Sequence, residues 1–180
     1  MILALDIGGT SVKMGLSDEQ GTLCARAEAD VCFDGYQTPI MDTVIRSAKR
    51  FLAEHNAKIG GIGVSAPGQI DIHSGVVIGT NGKIPHYEGT CIKERMEREL
   101  NVPVWVLNDA NAAALGECLA GCGQGCENAL MLTLGTGVGG GLVLDNKLYS
   151  GARGLAGELG HFTLYQDGLE CPCGKRGCLE

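Results

Sequence analysis

His161 is followed by Cys171-Pro172-Cys173-Gly174-Lys175-Arg176-Gly177-Cys178. One imidazole and three thiols at this spacing can supply the four ligands of a tetrahedral zinc ion, and Gly174 and Gly177 let the backbone curl so that the sulfurs converge. Such a site is closed and structural. Glu158 and His161 lie one helical turn apart, and Glu180 sits just beyond the last sulfur. The metal is therefore expected to fix polar side chains where a ligand can meet them, organising chemistry without performing it.

A second constellation is Asn108-Asp109-Ala110-Asn111, placed where an apolar strand pattern (Val102 to Leu107) gives way to a helical one (Asp109 to Leu119). That junction is where open α/β sheets bind ligands. A carboxylate there feels the positive end of the helix dipole, stays ionised and can accept a hydrogen bond from a substrate hydroxyl. Simple capping of the helix by Asn108 or Asp109 is an equally good local explanation. Two glycine turns favour the functional one. In Asp6-Ile7-Gly8-Gly9-Thr10, backbone amides and the Thr10 hydroxyl can surround a phosphate while Asp6 holds magnesium and Lys13 adds a charge; an ordinary tight hairpin explains the same residues. Gly135-Thr136-Gly137-Val138-Gly139-Gly140-Gly141 is more specific. Five glycines in seven positions weaken a strand pair and offer it no packing advantage, so close approach of the backbone to an anion is the expected reason.

The elements that must carry these residues read as α/β layers. Leu3 to Asp6 and Val12 to Leu16 form a hairpin about the first glycine turn, and Leu130 to Leu134 with Leu142 to Asp145 repeat the layout about the second, which suggests a duplicated unit. Between them, Thr38 to His55 and Ile92 to Leu100 have helical spacing, Ile59 to Val64 is an apolar strand, and short strands are expected at Gln69 to Asp71 and Val76 to Ile78. This alternation predicts a partly parallel sheet. The break between lobes is expected near Gly121 to Glu127, giving regions 1–121 and 122–180.

Composition bounds the partners. A net charge of -7 with scattered cations argues against nucleic acid or an anionic membrane, and no apolar run is long enough to span a bilayer. A small-molecule ligand is expected. The N-terminus enters a strand without the basic region of a signal peptide, so the expectation is a cytoplasmic protein. Nine cysteines, an odd count, do not suggest a disulfide framework there. Cys118, Cys122 and Cys126 are expected to be small buried thiols, and Cys24, Cys32 and Cys91 inert.

Taken in this order, the motifs resemble the ROK family of sugar kinases and regulators, a branch of the actin-like (ribonuclease H-like), hexokinase-like ATPases. The resemblance runs along the whole chain, with Asp6 to Thr10 and Gly135 to Gly140 as phosphate motifs and Glu158 to Glu180 as the zinc signature. It implies an ATP-dependent hexose kinase acting on glucose or an N-acetylated hexosamine such as N-acetylmannosamine. Asp109 would be the general base, with Asn108, Glu158, His161 and Glu180 on the other sugar hydroxyls and Gly68 and Asn81 completing the pocket. His161 would give one ring nitrogen to zinc and the other to sugar. ATP, Mg2+ and structural Zn2+ are the implied cofactors, and a homo-oligomer the implied assembly. ROK regulators carry a helix-turn-helix before the first strand, whereas Asp6 here follows the start closely, which sets the expectation on the kinase; a non-catalytic sugar-binding module is the remaining alternative. ROK kinases also continue beyond the zinc motif with helices that complete the second lobe and the adenosine site, so these 180 residues alone are expected to be inactive.

Overall fold

The computed structural model describes residues 1–180 except Asn81, Thr136 and Arg153. The chain divides into two compact units, Met1–Asn108 and Asp109–Glu180. The division falls one helix earlier than the Gly121 to Glu127 stretch, because the helix after Asn108 packs on the strands that follow it.

In the first unit β1 (Ile2–Ile7) buries Leu3, Leu5 and Ile7 and exposes Ile2, Ala4 and Asp6, the two-residue period of a strand covered on one face. It pairs antiparallel with β2 (Ser11–Ser17), and β2 pairs with β3 (Leu23–Asp30). Helix α1 (Ile40–Glu54) buries Met41, Val44, Ile45, Ala48 and Phe51 at three- and four-residue spacing. Then come β4 (Gly61–Ala66), which runs parallel to β1, and a small antiparallel pair of β5 (Gln69–Asp71) and β6 (Val76–Gly79). Helix α2 (Ile92–Leu100) buries Ile92 and Met96 and ends at Asn101, which takes a left-handed conformation that Asn tolerates well. Finally β7 (Val104–Asn108) runs parallel to β4, so the sheet order is β3-β2-β1-β4-β7.

The registers explain the core. Leu3 lies opposite Leu16 and Ile62, Leu5 opposite Met14 and Val64, and Ile62 and Val64 opposite Val104 and Val106. All point to the face where they join the apolar sides of α1 and α2 in one continuous core.

The second unit opens with α3 (Asp109–Ala120), followed by β8 (Ala129–Leu134), β9 (Val138–Leu144) and β10 (Lys147–Leu148), which form an antiparallel sheet of order β10-β9-β8. A 3-10 turn, Leu159–His161, then leads into a loop region held by isolated bridges, Thr163 with Cys178 and Glu170 with Arg176. The returning strand of the second hairpin starts at Val138, so Gly139, Gly140 and Gly141 lie inside a strand and not in a turn. Cys122 and Cys126 are exposed and Cys118 is half-buried, which corrects the expectation of buried thiols. Among the described residues no helix is long and apolar enough to cross a membrane.

Candidate functional site

Asp109 is the first residue of α3, and its Oδ1 accepts the Ala110 backbone N–H at 2.8 Å. What seats this helix end is the glycine content of β9. A Cβ on Gly139 would come 3.0 Å from Ala110 Cβ, one on Gly141 would come 2.5 Å from Ala114 Cβ, and one on Gly140 would meet the Gly157 carbonyl at 2.8 Å. These glycines therefore do have a packing reason, contrary to the expectation from spacing. α3 on one side and the 157–159 segment on the other approach the strand more closely than any side chain permits. The anion argument narrows to the turn itself. Around Gly135 a Cβ would meet nothing within 4 Å, and its N–H donates to the Gly137 carbonyl at 3.0 Å. Thr136 lies outside the described residues.

Gly157 turns the chain toward Glu158, and the His161 N–H closes the 3-10 turn on the Glu158 carbonyl at 3.1 Å. The Glu180 N–H donates to the Gly160 carbonyl at 3.0 Å, which brings the last carboxylate back beside this turn. Burial raises the Glu158 carboxyl above its ordinary value; His161 draws it back, and the negative charges of Asp109 and Glu180 raise it further. Three acidic side chains at separate points in the sequence thus share one electrostatic environment with one imidazole. That arrangement costs stability and suits a ligand rich in hydroxyl donors.

Next to it the ligand atoms of His161, Cys171, Cys173 and Cys178 lie within 4.8 Å of one another. Cys171 Sγ is 3.5 Å from His161 Nδ1 and Cys173 Sγ is 3.7 Å from Cys178 Sγ. A tetrahedron built on ordinary zinc bond lengths has edges of about 3.6 Å between sulfur and nitrogen and about 3.8 Å between sulfurs. Two of the separations thus match those edges, and the four side chains could together hold a zinc ion. The pair splits electrostatically: the Lys175 backbone N–H pulls the Cys173 thiol down, while burial, with Cys171 and Cys173 adding to it, pushes Cys178 up to about 12. A metal ion held here would displace the Cys178 proton. Loop closure rests on Gly177, whose N–H bonds the Leu169 carbonyl at 2.8 Å and whose φ is 69°; a Cβ there would overlap the Tyr165 carbonyl.

In the first unit the Asn108 amide donates to the Gly68 carbonyl at 2.9 Å, so two of the expected sugar residues meet. Gly68 has φ 89° and a Cβ there would lie 2.6 Å from the Gly79 carbonyl, which makes the residue obligatory for the turn into β5. Asn81 lies outside the described residues. Asp6 accepts the Ser65 hydroxyl at 2.8 Å and faces Lys13 at 3.9 Å, as the registers of β1 with β4 and β2 require. The Gly8 N–H donates to the Ser11 carbonyl at 2.8 Å, and the Val31 N–H to the Thr10 carbonyl at 2.8 Å. The Tyr36 hydroxyl donates to the Gly9 carbonyl. This clasp on the glycine turn by the segment after β3 was not legible in the sequence. Its signal, Asp34 accepting from both the backbone and the hydroxyl of Thr38, is a local turn motif that names no distant partner.

The sequence and the fold are those of a known family. The profile of the ROK family matches residues 2–180, and the chain belongs to that family. It is 39% identical to a glucokinase of Halalkalibacterium halodurans over 99% of this chain and 54% of that one. A ROK family glucokinase from Streptomyces griseus, whose crystal structure is a complex with glucose and AMPPNP, superposes with a TM-score of 0.83 at 35% identity over 98% of this chain and 55% of that one. A ROK family transcriptional regulator, a homologue of the E. coli MLC protein, superposes with a TM-score of 0.85 at 26% identity over 98% of this chain and 45% of that one. The chain spans about half the length of the curated relatives it matches.

Proposed function

We propose that the protein is an ATP-dependent hexose kinase of the ROK type that transfers the γ-phosphate of ATP to a sugar hydroxyl, with glucose as the substrate. The observation that carries this reading is the acidic cluster at the start of α3. Glu158, raised by burial and by Asp109 and Glu180, shares its surroundings with two further carboxylates, and the hydroxyl donors of a sugar would offset the electrostatic cost. Asp109 is the general base: it takes the proton of the attacking hydroxyl as the bond to phosphorus forms. Asn108, Glu158, His161, Glu180, Gly68 and Asn81 bind the remaining hydroxyls, and a zinc ion on His161, Cys171, Cys173 and Cys178 holds the 158–180 segment in place. The backbone of Gly8, Gly9 and Thr10 and that of Gly135, Thr136, Gly137 and Gly139 receives the phosphates, with Lys13 nearby. Asp6 would hold Mg2+, which supplies neutralisation of phosphate charge. Phosphoryl transfer asks mainly for alignment and charge neutralisation, so no covalent enzyme intermediate is required.

The test is transfer of labelled γ-phosphate from ATP to a panel of glucose, mannose, N-acetylglucosamine and N-acetylmannosamine by the complete gene product. Preferential labelling of glucose is expected. Preference for N-acetylmannosamine would move the substrate and keep the class. Binding of glucose with no transfer to any sugar would overturn the kinase and favour the sugar-sensing role of the regulators.

A further inference from the structure

On the helical side of the first unit, α1 and α2 enclose a groove of about 330 Å3 that no part of the proposed reaction uses. Arg46 and Lys49 from α1 and Arg95 and Arg98 from α2 line it, against only two carboxylates, Asp42 and Glu99. The chain as a whole has a net charge of -7, so an excess of cations here runs against its average.

The pairing pattern shows which charges are committed. Arg95 pairs with Asp42, and Lys49 with Glu99 at 2.7 Å, so a cross-helix ion pair stands toward each end and uses both carboxylates. Arg46 lies one turn from Asp42 and one from Lys49, between these pairs. Among the described residues it has no carboxylate partner; it donates to the Thr43 hydroxyl at 3.3 Å and its guanidinium lies 5.9 Å from the centre of the Phe33 ring. Those two contacts orient the group while leaving N–H donors unused. Arg98 reaches Glu99 only at 3.9 Å, a loose contact to a carboxylate that Lys49 already holds. Glu99 is kept below the ordinary carboxylate range by Lys49 first, then by Arg98 and Arg95, which agrees with a positive local potential. The buried side chain of Ile45 gives the groove an apolar floor.

We propose that this groove binds a phosphate dianion, with Arg46 and Arg98 as the two guanidinium donors. A doubly charged oxyanion matches Arg46, which has no carboxylate partner among the described residues, and Arg98, whose ion pair with Glu99 is loose, and planar guanidinium forks fit phosphate oxygens in pairs. The volume lies at the small end of ligand sites and leaves room for an organic group over Ile45, so both inorganic phosphate and a phosphomonoester are chemically admissible. The site is independent of the catalytic reading, because it lies wholly on α1 and α2.

The test is calorimetric titration of the complete gene product, at constant ionic strength set with chloride and with glucose present at saturation, using inorganic phosphate and phenyl phosphate as separate probes. Saturable binding with a dissociation constant on the order of 1 mM is expected. Arg46→Ala with Arg98→Ala should weaken it at least about tenfold, on the usual scale of charge-assisted hydrogen bonds. Arg26→Ala, on exposed β3, should leave it unchanged. Glu99→Gln should tighten binding by releasing Lys49 and Arg98, a gain that a merely unfolded variant cannot imitate. Equal affinity for both probes identifies the phosphate group as the whole determinant, and tighter phenyl phosphate adds the apolar floor. Heat changes that do not saturate, or that survive the double substitution, would overturn the proposal.

Discussion

At the scale of the residue, the chemistry was legible wherever a side-chain type has few uses. Three cysteines and a histidine at this spacing have almost no shared purpose but a metal, and their ligand atoms do converge within 4.8 Å. Asp109 was ambiguous between base and cap, and its hydrogen bond to the next N–H is compatible with either. Function separates the two. Asp109→Asn keeps the side-chain shape and an acceptor for Ala110, so the helix should survive, while under the proposed function loss of the proton acceptor should lower turnover of the complete gene product by about 100-fold or more with sugar affinity largely kept. Near-normal turnover would mean that another group takes the proton. The metal reading has its own measurement. Cys173→Ala with Cys178→Ala should abolish bound zinc in elemental analysis and weaken sugar binding, since the turn carrying Glu158 and the end carrying Glu180 are tied through Gly160 to the same loop.

Elements were legible where periodicity had contrast. The α1 and α2 patterns, with large apolar residues at helical spacing, appear in the structure close to the expected bounds. Strand β3 was missed because Cys24 to Asp30 alternates alanine with charge, and alanine is too small and too common in helices to mark a buried face. The β9 glycines were misread for a related reason: a sequence does not show that a helix will be pressed against a strand. Packing makes a prediction there. Gly141→Ala would drive a methyl into Ala114, and overpacking of this kind costs about 1–3 kcal/mol, readable as a lowered urea midpoint with unchanged slope. The end of α3 offers a pH test. The Cys122 backbone N–H, with the Cys122 thiol, holds the Glu117 carboxyl below its ordinary value. Glu117 therefore binds protons more readily unfolded than folded, and its contribution is present above the unfolded value and lost as pH falls through the folded one. Glu117→Gln should melt below the wild type at neutral pH and level with it in strong acid. A gap that does not change with pH would assign the effect to packing.

At the scale of the whole molecule, each unit leaves part of one sheet face bare. In the first, Trp105 is 62% exposed on the side away from α1 and α2, with Ile2 and Ala4 also exposed on that face. In the second, Leu130, Leu132 and Leu134 project from the face of β8 opposite α3, and Leu134 is 81% exposed. Contiguous apolar surface of this kind marks an interaction face or leads to aggregation. The net charge of -7 opposes self-association only over a screening length of about 8 Å at physiological salt, too short a range to protect an apolar contact once made. These 180 residues expressed alone should therefore self-associate, more so as salt rises, and should bind an apolar dye; light scattering coupled to size exclusion reads the first and fluorescence the second. Leu132→Glu with Leu134→Glu should reduce both signals without disturbing the zinc loop, because neither side chain belongs to its ligand set. A monodisperse monomer with no dye binding would show that the bare faces are too small or too divided to act as interfaces.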